Sequence, residues 1–433
     1  MSAFLDNFAD FLLASPSSYH AAAECARQLR AQGWVETSFA ELADGPETMP
    51  HRGFLLRDGA IVAWSQPAGL APTAPYRLIG THTDSPGFVV KPAATSSHFG
   101  YLQVGVEVYG GPLLNSWLDR ELELAGRLVT RDGEVLVRSG AAFRIPQLAI
   151  HLDREVNAGL TLDKQRHTQP IWGMDARSQT AAAAADIVGA LAETAGLSVD
   201  EVIGYDLITV DSQGPARFGR EREFLASARL DNLSSTYAAL AALLESGAAQ
   251  AASPDAASAT QVLVAFNHEE IGSETRAGAC GPLLEDVIAA LGDARQASPA
   301  QQRAALDASW LVSGDAGHGI HPNYPEKHDP ANQPVLGGGP LLKINANQRY
   351  ATDGHGAALW ADCCERAGVP WQAFVSNNSV PCGSTIGPLS ATRLGITTVD
   401  VGVPLLSMHS ARELCHVEDT PALSSAFTAF YGG

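Results

Sequence analysis

Apolar, strand-like segments that end in clusters of polar side chains recur along this chain. Residues 76–80 form one such segment and run directly into a polar sequence at 81–86, while other apolar segments precede Glu269 and Asp315. A helical pattern over about residues 233–244 lies between two of them. Alternating strand and helix patterns favour a mostly parallel sheet covered by helices. The sequence therefore predicts an α/β fold with polar clusters at the carboxyl ends of strands, where open sheets bind ligands.

A different pattern fills the stretch between these segments. Short strand-like runs at 102–108 and 125–130 are bounded by glycine-containing turns. The chain has 433 residues, and a single hydrophobic core usually stops growing beyond about 250–300 residues. We therefore predict one domain formed by residues 1–90 and 226–433, interrupted by an inserted β-rich domain at 91–225.

The remaining elements follow from local patterns. Residues 4–32 carry apolar positions at helical spacing that are divided by a Ser-Pro-Ser-Ser sequence, which predicts a helix, a break and a second helix over about 19–29. Residues 246–260 are rich in Ala, Ser and Pro and are predicted to form a solvent-exposed loop. Further strands are predicted at 261–266, at 310–313, near Phe374 and near Val399.

Charge and targeting signals limit the partners of the protein. Its 47 Asp and Glu residues outnumber its 28 Lys and Arg residues, which gives a formal net charge of −19 and disfavours nucleic acid and anionic membranes. Acidic residues stand near the N-terminus where a signal peptide would be basic, and no apolar run approaches 18 residues. The six cysteines are too sparse for a disulfide framework. We therefore expect a cytoplasmic protein with reduced cysteines that binds neither nucleic acid nor membrane.

Five side chains have the chemistry of zinc ligands and come from widely separated parts of the chain: His82, Asp231, Glu270, Asp315 and His409. Each alone has an ordinary explanation, as a loop or core histidine, a helix-capping or turn aspartate, or a solvated glutamate. Together, nitrogen and oxygen ligands without thiolate suit zinc, and also manganese or cobalt. A shared carboxylate would give each of two metals three protein ligands and leave room for a bridging water.

Two further carboxylates lie next to these residues in the sequence. Asp84 follows His82 by two positions and could hold the tautomer and orientation of the imidazole. Glu269 precedes Glu270, and adjacent carboxylates in a strand-end loop can face different ways, so that one binds metal while the other serves as a base. No Gly-x-Ser-x-Gly sequence is present, so serine hydrolysis has little support.

With these residues in place, the chain resembles the aspartyl aminopeptidases, a family of cocatalytic dizinc exopeptidases that remove N-terminal Asp or Glu from peptides. The matching motifs occur in family order over nearly the whole chain: GTHTDSP at 80–86, ARLDN at 228–232, HEEIGS at 268–273, HGIHPNY at 318–324, KINANQRY at 343–350, PCGSTIG at 381–387 and MHSARE at 408–413. One departure is His268, where many relatives have Asn, and it puts the pH optimum in question.

The resemblance implies two zinc ions that share one carboxylate. The first would be held by His82, Asp231 and Asp315. The second would be held by Asp231, Glu270 and His409. The metals would lower the pKa of a bridging water, whose hydroxide attacks the scissile carbonyl polarised by zinc.

The resemblance also implies roles around the metals. Glu269 would be the general base that takes the proton of the water and returns it to the leaving amine. Lys343 would meet the acidic side chain of the substrate, and His151 would come from the neighbouring subunit. His321 and Tyr350 are implied in the same substrate pocket. Without the motifs, Lys343 would be predicted as a surface lysine and His151 as a strand residue.

The fold of the family implies a dizinc exopeptidase-like catalytic domain, with the insertion at 91–225 in dimer contacts. It further implies a homo-oligomer, a dodecamer built from dimers, whose active sites face an enclosed chamber that admits short peptides. Because metal ligands do not encode side-chain preference, a dizinc aminopeptidase of neutral or broad specificity and an aminoacyl hydrolase stay open. A catalytically silent scaffold is a third alternative, which the intact set of ligands disfavours.

Overall fold

A computed structural model of the protein describes residues 2–174, 186–253 and 258–433. The α-helices in these ranges are α1 (Ser2–Ala14), α2 (Ser18–Ala31), α3 (Phe39–Leu42), α4 (Ile187–Thr194), α5 (Leu230–Ala252), α6 (Leu283–Ala294), α7 (Pro299–Asp307), α8 (Gly354–Ala367), α9 (Ile386–Leu394) and α10 (Asp419–Gly432). Within the described part of the chain, none of these helices has the length and hydrophobicity of a membrane span.

The first sheet has nine strands. In spatial order they are β1 (Val35–Glu36), β2 (Arg52–Arg57), β3 (Ala60–Ser65), β13 (Thr260–Phe266), β4 (Tyr76–His82), β14 (Trp310–Gly314), β18 (Thr397–Gly402), β16 (Leu341–Ile344) and β17 (Gln372–Val375). Strands β13, β4, β14 and β18 are parallel neighbours at its centre, and antiparallel pairs occur only toward the edges of the described sheet. Their side chains are almost completely buried, as expected for strands covered on both faces.

Helices cover both faces of this sheet. On one face Leu240 of α5, Trp360 of α8 and Phe427 of α10 belong to one apolar cluster. On the other face Leu291 of α6 and Ile386 of α9 belong to a second cluster. This arrangement confirms the predicted α/β fold with a mostly parallel, helix-covered sheet.

A second, antiparallel sheet confirms the predicted β-rich part. Its strands in spatial order are β8 (Gly133–Arg138), β7 (Leu122–Thr130), β10 (Gly204–Asp211), β5 (Gly87–His98), β6 (Tyr101–Tyr109) and β9 (Ile171–Met174). Residues 175–185 of the predicted insertion lie outside the described residues. The domain boundaries at 91 and 225 stay a prediction.

Two small sheets complete the described strands. One contains β11 (Ala216–Phe218), β12 (Phe224–Ser227) and β20 (Glu413–His416). The other contains β15 (Gly317–His318) and β19 (Pro404–Leu405). The chain leaves the first sheet at the end of β4 and enters the second at the start of β5, so the two large sheets are joined beside the polar sequence that contains Asp84.

Most element boundaries match the sequence patterns to within one or two residues, but the end of α5 does not. The predicted loop at 246–260 is helical as far as Ala252, and its residues 254–257 lie outside the described residues. Alanine is the strongest helix former, and the side chain of Ser246 is buried and donates to the carbonyl of Ala242 within the helix. The prediction of a solvent loop from residue 246 was therefore wrong for its first seven positions.

Candidate metal centre

Three neighbouring strands at the centre of the first sheet carry four of the predicted site residues to one edge. His82 is the last residue of β4, and Asp315 directly follows β14. Glu269 and Glu270 follow β13 after a two-residue turn. Since β4 lies between β13 and β14 and all three are parallel, their carboxyl ends meet at the same edge.

The other two predicted ligands come from irregular backbone. Asp231 lies in the first turn of α5 but has non-helical dihedral angles, and the peptide bond that follows it is cis. It does not cap the helix, because the N-cap position is Arg229 and no side chain makes a capping hydrogen bond. His409 lies in the turn between β19 and β20 with a φ of 65°, in the left-handed region.

These residues form one cluster around the Asp231 carboxylate. Asp231 Oδ1 lies 3.3 Å from His82 Nε2, and Asp231 Oδ2 lies 3.5 Å from His409 Nε2. Asp315 Oδ1 is 3.4 Å from His82 Nε2, and Glu270 Oε2 is 3.3 Å from His409 Nε2. The cluster thus contains two groups of ligand atoms that share Asp231. Within each group the atoms all lie within 4.8 Å of one another, so that each group could hold a metal ion.

Buried atoms without hydrogen-bond partners show that the cluster fits a cation. His82 Nε2, Asp231 Oδ1 and Glu270 Oε1 are buried and have no hydrogen-bond partner among the described residues. Leaving such an atom unsatisfied costs about 1–3 kcal/mol each. A metal ion between these atoms would remove this cost, and imidazole and carboxylate donors without thiolate suit zinc.

The ring orientation of both histidines also suits metal binding. His82 Nδ1 lies 3.1 Å from the carbonyl oxygen of Asp84, and His409 Nδ1 lies 3.0 Å from the carbonyl oxygen of Gly111. Because a carbonyl oxygen only accepts, each Nδ1 donates its proton, and each Nε2 faces the cluster, where it can bind a metal once its own proton has left. Both rings are therefore held in the orientation that a metal ligand requires.

Comparison with known proteins identifies the family. The model of the family described as aminopeptidase I zinc metalloprotease (M18) matches residues 11–431. The chain belongs to the M18 family of zinc aminopeptidases. A probable M18 family aminopeptidase 2 of Streptomyces avermitilis is 48% identical and covers 99% of this chain and 97% of its own length. A probable M18 family aminopeptidase 2 of Mycobacterium tuberculosis is 40% identical over 99% of this chain and 98% of its own.

Solved structures agree with this assignment. A chain from the cryo-EM structure of the Ape4 and Nbr1 complex superimposes with a TM-score of 0.94 at 34% identity, covering 100% of this chain and 86% of that chain. A chain of the S. cerevisiae mApe1 dodecamer gives a TM-score of 0.85 at 27% identity, covering 99% of this chain and 96% of that chain. The resemblance read from the sequence motifs is therefore confirmed at the level of the family, and this M18 aminopeptidase is a zinc metallopeptidase.

In this M18 aminopeptidase, Asp84 supports the turn that bears the two glutamates. Its Oδ1 accepts the backbone N–H of Glu269 and its Oδ2 accepts that of Glu270, each at 3.1 Å. The hydroxyl of Tyr109, the last residue of β6, donates to Asp84 Oδ2 at 2.7 Å. The second sheet therefore contacts the residue that supports the turn with Glu269 and Glu270, a contact that the sequence did not indicate.

Two residues of the matched motifs have contacts that the sequence left unassigned. Arg229 is buried, and its guanidinium donates to the carbonyl oxygens of Ser15 and Thr83, so it ties the end of β4 to the turn after α1. Glu413 is buried beside Asp231 and His409. The sequence signal for a role of Arg229 and Glu413 was that they lie in the ARLDN and MHSARE motifs.

Two of the four predicted substrate-binding residues, Lys343 and Tyr350, lie beside the cluster. Lys343 is buried in β16 and is not a surface lysine; its Nζ donates to the carbonyl of Ala316 and lies 3.7 Å from Asp315 Oδ2. The ring of Tyr350 lies 5.3 Å from Lys343 Nζ. These two residues therefore adjoin the cluster.

His321 and His151 stand apart from the cluster in one chain. The ring of His321 lies 4.9 Å from that of Tyr324, in the turn after β15. His151 occupies an exposed turn between β8 and β9 and is not part of a strand. In the three described ranges, no hydrogen bond or ion pair joins either histidine to the proposed ligands.

Burial and charge shift the pKa values within the cluster. Burial raises the pKa of Glu269 to about 8; the charge of His82 lowers this pKa, and repulsion from Asp315 and Asp231 raises it further. Burial lowers the pKa of His409, but its contacts with Asp231 and Glu270 outweigh that effect and raise it to about 10. The pKa of His82 is raised well above its usual value because its carboxylate contacts outweigh burial.

These shifts predict that metal binding releases protons. In the metal-free protein at pH 7–8, His82 and His409 carry protons on Nε2, and a metal must displace both. Apparent zinc affinity should therefore rise with pH toward the His409 pKa of about 10. Calorimetric titration in buffers of different ionisation enthalpy is expected to show proton release, and an enthalpy that is independent of the buffer would contradict it.

Proposed function

We propose that this M18 aminopeptidase removes N-terminal Asp and Glu from short peptides with two zinc ions that share one carboxylate. The observation that carries the proposal is the position of Asp231, whose two oxygens face the Nε2 atoms of His82 and His409. This arrangement suits two metals and is not needed for one. Manganese or cobalt would satisfy the same donors.

The two proposed ligand sets follow the two groups of the cluster. His82, Asp231 and Asp315 would hold one ion, and Asp231, Glu270 and His409 would hold the other. When bound, the ions supply a water of lowered pKa and a Lewis acid for the scissile carbonyl. Asp84 contacts one residue of each group, because its carbonyl oxygen accepts from His82 Nδ1 and its Oδ2 accepts the backbone N–H of Glu270.

Glu269 is the proposed general base. Its neighbour Glu270 is assigned to a metal, whereas Glu269 belongs to neither proposed ligand set. It nevertheless lies close to both sets, because one ligand atom each of Glu269, His82 and Glu270 lie within 4.8 Å of one another. The hydrogen bond from its backbone N–H to Asp84 holds the main chain from which the side chain extends. Glu269 would accept the proton of the attacking water and return it to the leaving amine.

Lys343 supports the acidic specificity. Its ammonium group is buried beside Asp315, which lies in the first proposed ligand set. If Asp315 binds a metal, its charge is shared, and Lys343 becomes available to a substrate carboxylate. A neutral substrate side chain would leave this buried cation without that partner, and burying an unpaired charge is costly.

The specificity test compares acidic and neutral substrates. We expect chelator-sensitive hydrolysis of Asp- and Glu-anilides in preference to Leu-anilide, restored by added zinc. Lys343→Met should lower kcat/KM on Asp-anilide by roughly 10–100-fold, since a hydrogen bond to a charged group contributes about 1.5–3 kcal/mol. Activity on Leu-anilide should change little.

The control for this substitution is Lys164→Met, which removes an exposed lysine and should alter neither activity. A wild-type preference for Leu-anilide would retain the dizinc mechanism and overturn the acidic specificity. Equal losses on Asp- and Leu-anilides in Lys343→Met would show that Lys343 supports the fold or the metals and does not select the substrate.

We further propose a homo-dodecamer of dimers, with the second sheet in dimer contacts and His151 reaching a neighbouring subunit. The yeast relative mApe1 was solved as a dodecamer. Leu148, Ile150 and Leu152 around His151 are all exposed, as expected for a surface that another chain covers. Light scattering should report the mass of about twelve chains, and a monomer would contradict the assembly.

We also propose a cytoplasmic location. All six cysteines are free thiols, which supports this location.

A further inference from the structure

Glu413 is a buried carboxylate in the centre of the molecule that belongs to neither proposed ligand set. It is the first residue of β20 and its exposed fraction is 2%. Its Oε2 accepts the backbone N–H of Asp231 at 2.8 Å, and its Oε1 accepts the backbone N–H of His409 at 2.7 Å. Both oxygens thus bind the main chain of proposed metal ligands.

We propose that Glu413 is a positioning residue that fixes the bridging Asp231 and His409 relative to each other, and so sets the geometry of the second zinc site. This inference rests on the proposed dizinc function. In that function Glu413 is not a metal ligand. Its role is to hold two ligands that come from different parts of the chain at the separation that one ion requires.

The backbone at both ligands explains why such a residue is needed. Asp231 has φ −83° and ψ 106° inside the first turn of α5, and His409 has φ 65°. Neither N–H is therefore bonded within a regular helix or strand, and a buried N–H without a partner costs about 1–3 kcal/mol. One carboxylate satisfies both groups and joins them.

The loop that follows β6 also contacts His409. The carbonyl of Gly111 accepts from His409 Nδ1, and the N–H of Leu113 donates to the His409 carbonyl at 2.9 Å. With Glu413 bound to its N–H, the His409 residue is held at three points. The 3.5 Å between His409 Nε2 and Asp231 Oδ2 is therefore set by surrounding groups and not by the two ligands alone.

The contacts of Glu413 are unequal between the two proposed zinc sites. It binds one ligand of the second site, His409, and the shared ligand, Asp231, but among the described residues it has no hydrogen bond to His82 or Asp315. Loss of its contacts should therefore weaken the second site more than the first. A purely structural role would weaken both sites alike.

The test substitutes Glu413→Gln, which keeps the shape but replaces one acceptor oxygen with an NH2 group that cannot accept an N–H. At limiting free zinc, we expect the metal content to fall from about two ions to about one per chain. Affinity for the weaker ion should fall by roughly 10–100-fold, the usual effect of removing a partner of a metal ligand. The kcat should fall with little change in KM, and excess zinc should restore it.

Glu418→Gln is the matched control, because Glu418 is exposed five residues away and should retain two ions and full activity. If Glu413→Gln does not fold, Glu413→Asp, which keeps the charge and can reach only one N–H, gives the same comparison. Equal weakening of both ions, or a kcat loss that excess zinc does not restore, would overturn the inference. A wild-type protein that binds fewer than two ions would instead overturn the proposed dizinc function.

Discussion

Replacing Glu269 with Gln is expected to lower kcat by about 10²–10⁴-fold, the usual contribution of a general acid–base residue, while two zinc ions stay bound. The amide is nearly isosteric with the carboxyl group but cannot accept the proton of the attacking water. The backbone bond from Glu269 to Asp84 does not involve the side chain, so the turn should keep its conformation. Steady-state kinetics together with the zinc content per chain measure both effects.

Glu274→Gln provides the control, because this exposed glutamate lies in the same segment and outside the cluster. It should retain wild-type kcat and metal content. If Glu269→Gln lost zinc as well as activity, Glu269 would be a metal ligand and not the base. If it kept most of its activity, another group would have to accept the proton.

Replacing Asp231 with Asn is expected to reduce the zinc content from two ions to one or fewer and to lower kcat/KM by at least about 10³-fold. Only one side-chain oxygen remains, so the group no longer bridges two imidazole-containing sites. The proposed metals would supply several kcal/mol of transition-state stabilisation, and every 1.36 kcal/mol corresponds to a tenfold change in rate. Zinc analysis after dialysis and kinetics at saturating zinc provide the measurement.

Thermal unfolding of the metal-free proteins distinguishes a loss of metal binding from a loss of folding in this experiment. Without metal, Asp231→Asn should still unfold in one cooperative transition, because the amide keeps the shape of the side chain, but at a lower temperature than the metal-free wild type, because the charge that pairs with His82 and His409 is lost. The exposed Asp307→Asn variant, at the end of α7, should match the wild type in every respect. Two tightly bound ions in Asp231→Asn would show that Asp231 is not the shared ligand.

The centre of the fold could be predicted from the sequence because its signals are local. Strands β13, β4 and β14 are apolar runs that end in polar residues, and buried parallel strands have this composition. The same local signals place His82, Glu269 and Asp315 at one edge of the sheet. The end of α5 was missed because its Ala- and Ser-rich sequence is compatible with both helix and loop, and burial of Ser246 decides between them.

The rest of the site depends on contacts between distant parts of the chain. The left-handed conformation of His409 and its bond to Gly111, 298 residues away, leave no local pattern. Tyr109 was missed for the same reason. The burial of Lys343, in contrast, had a local signal, because it lies among Leu341, Leu342 and Ile344 in a four-residue strand.

The spread of the proposed ligands along the chain has a consequence for biosynthesis. His409 is made more than three hundred residues after His82, which takes roughly tens of seconds at typical synthesis rates of about 5–20 residues per second. On the proposed assignment, a growing polypeptide holds at most a partial set of ligands throughout this interval. On this assignment peptide hydrolysis begins only after the ribosome has passed His409, and a ribosome-bound fragment that ends before His409 has no complete centre with which to cut other nascent chains.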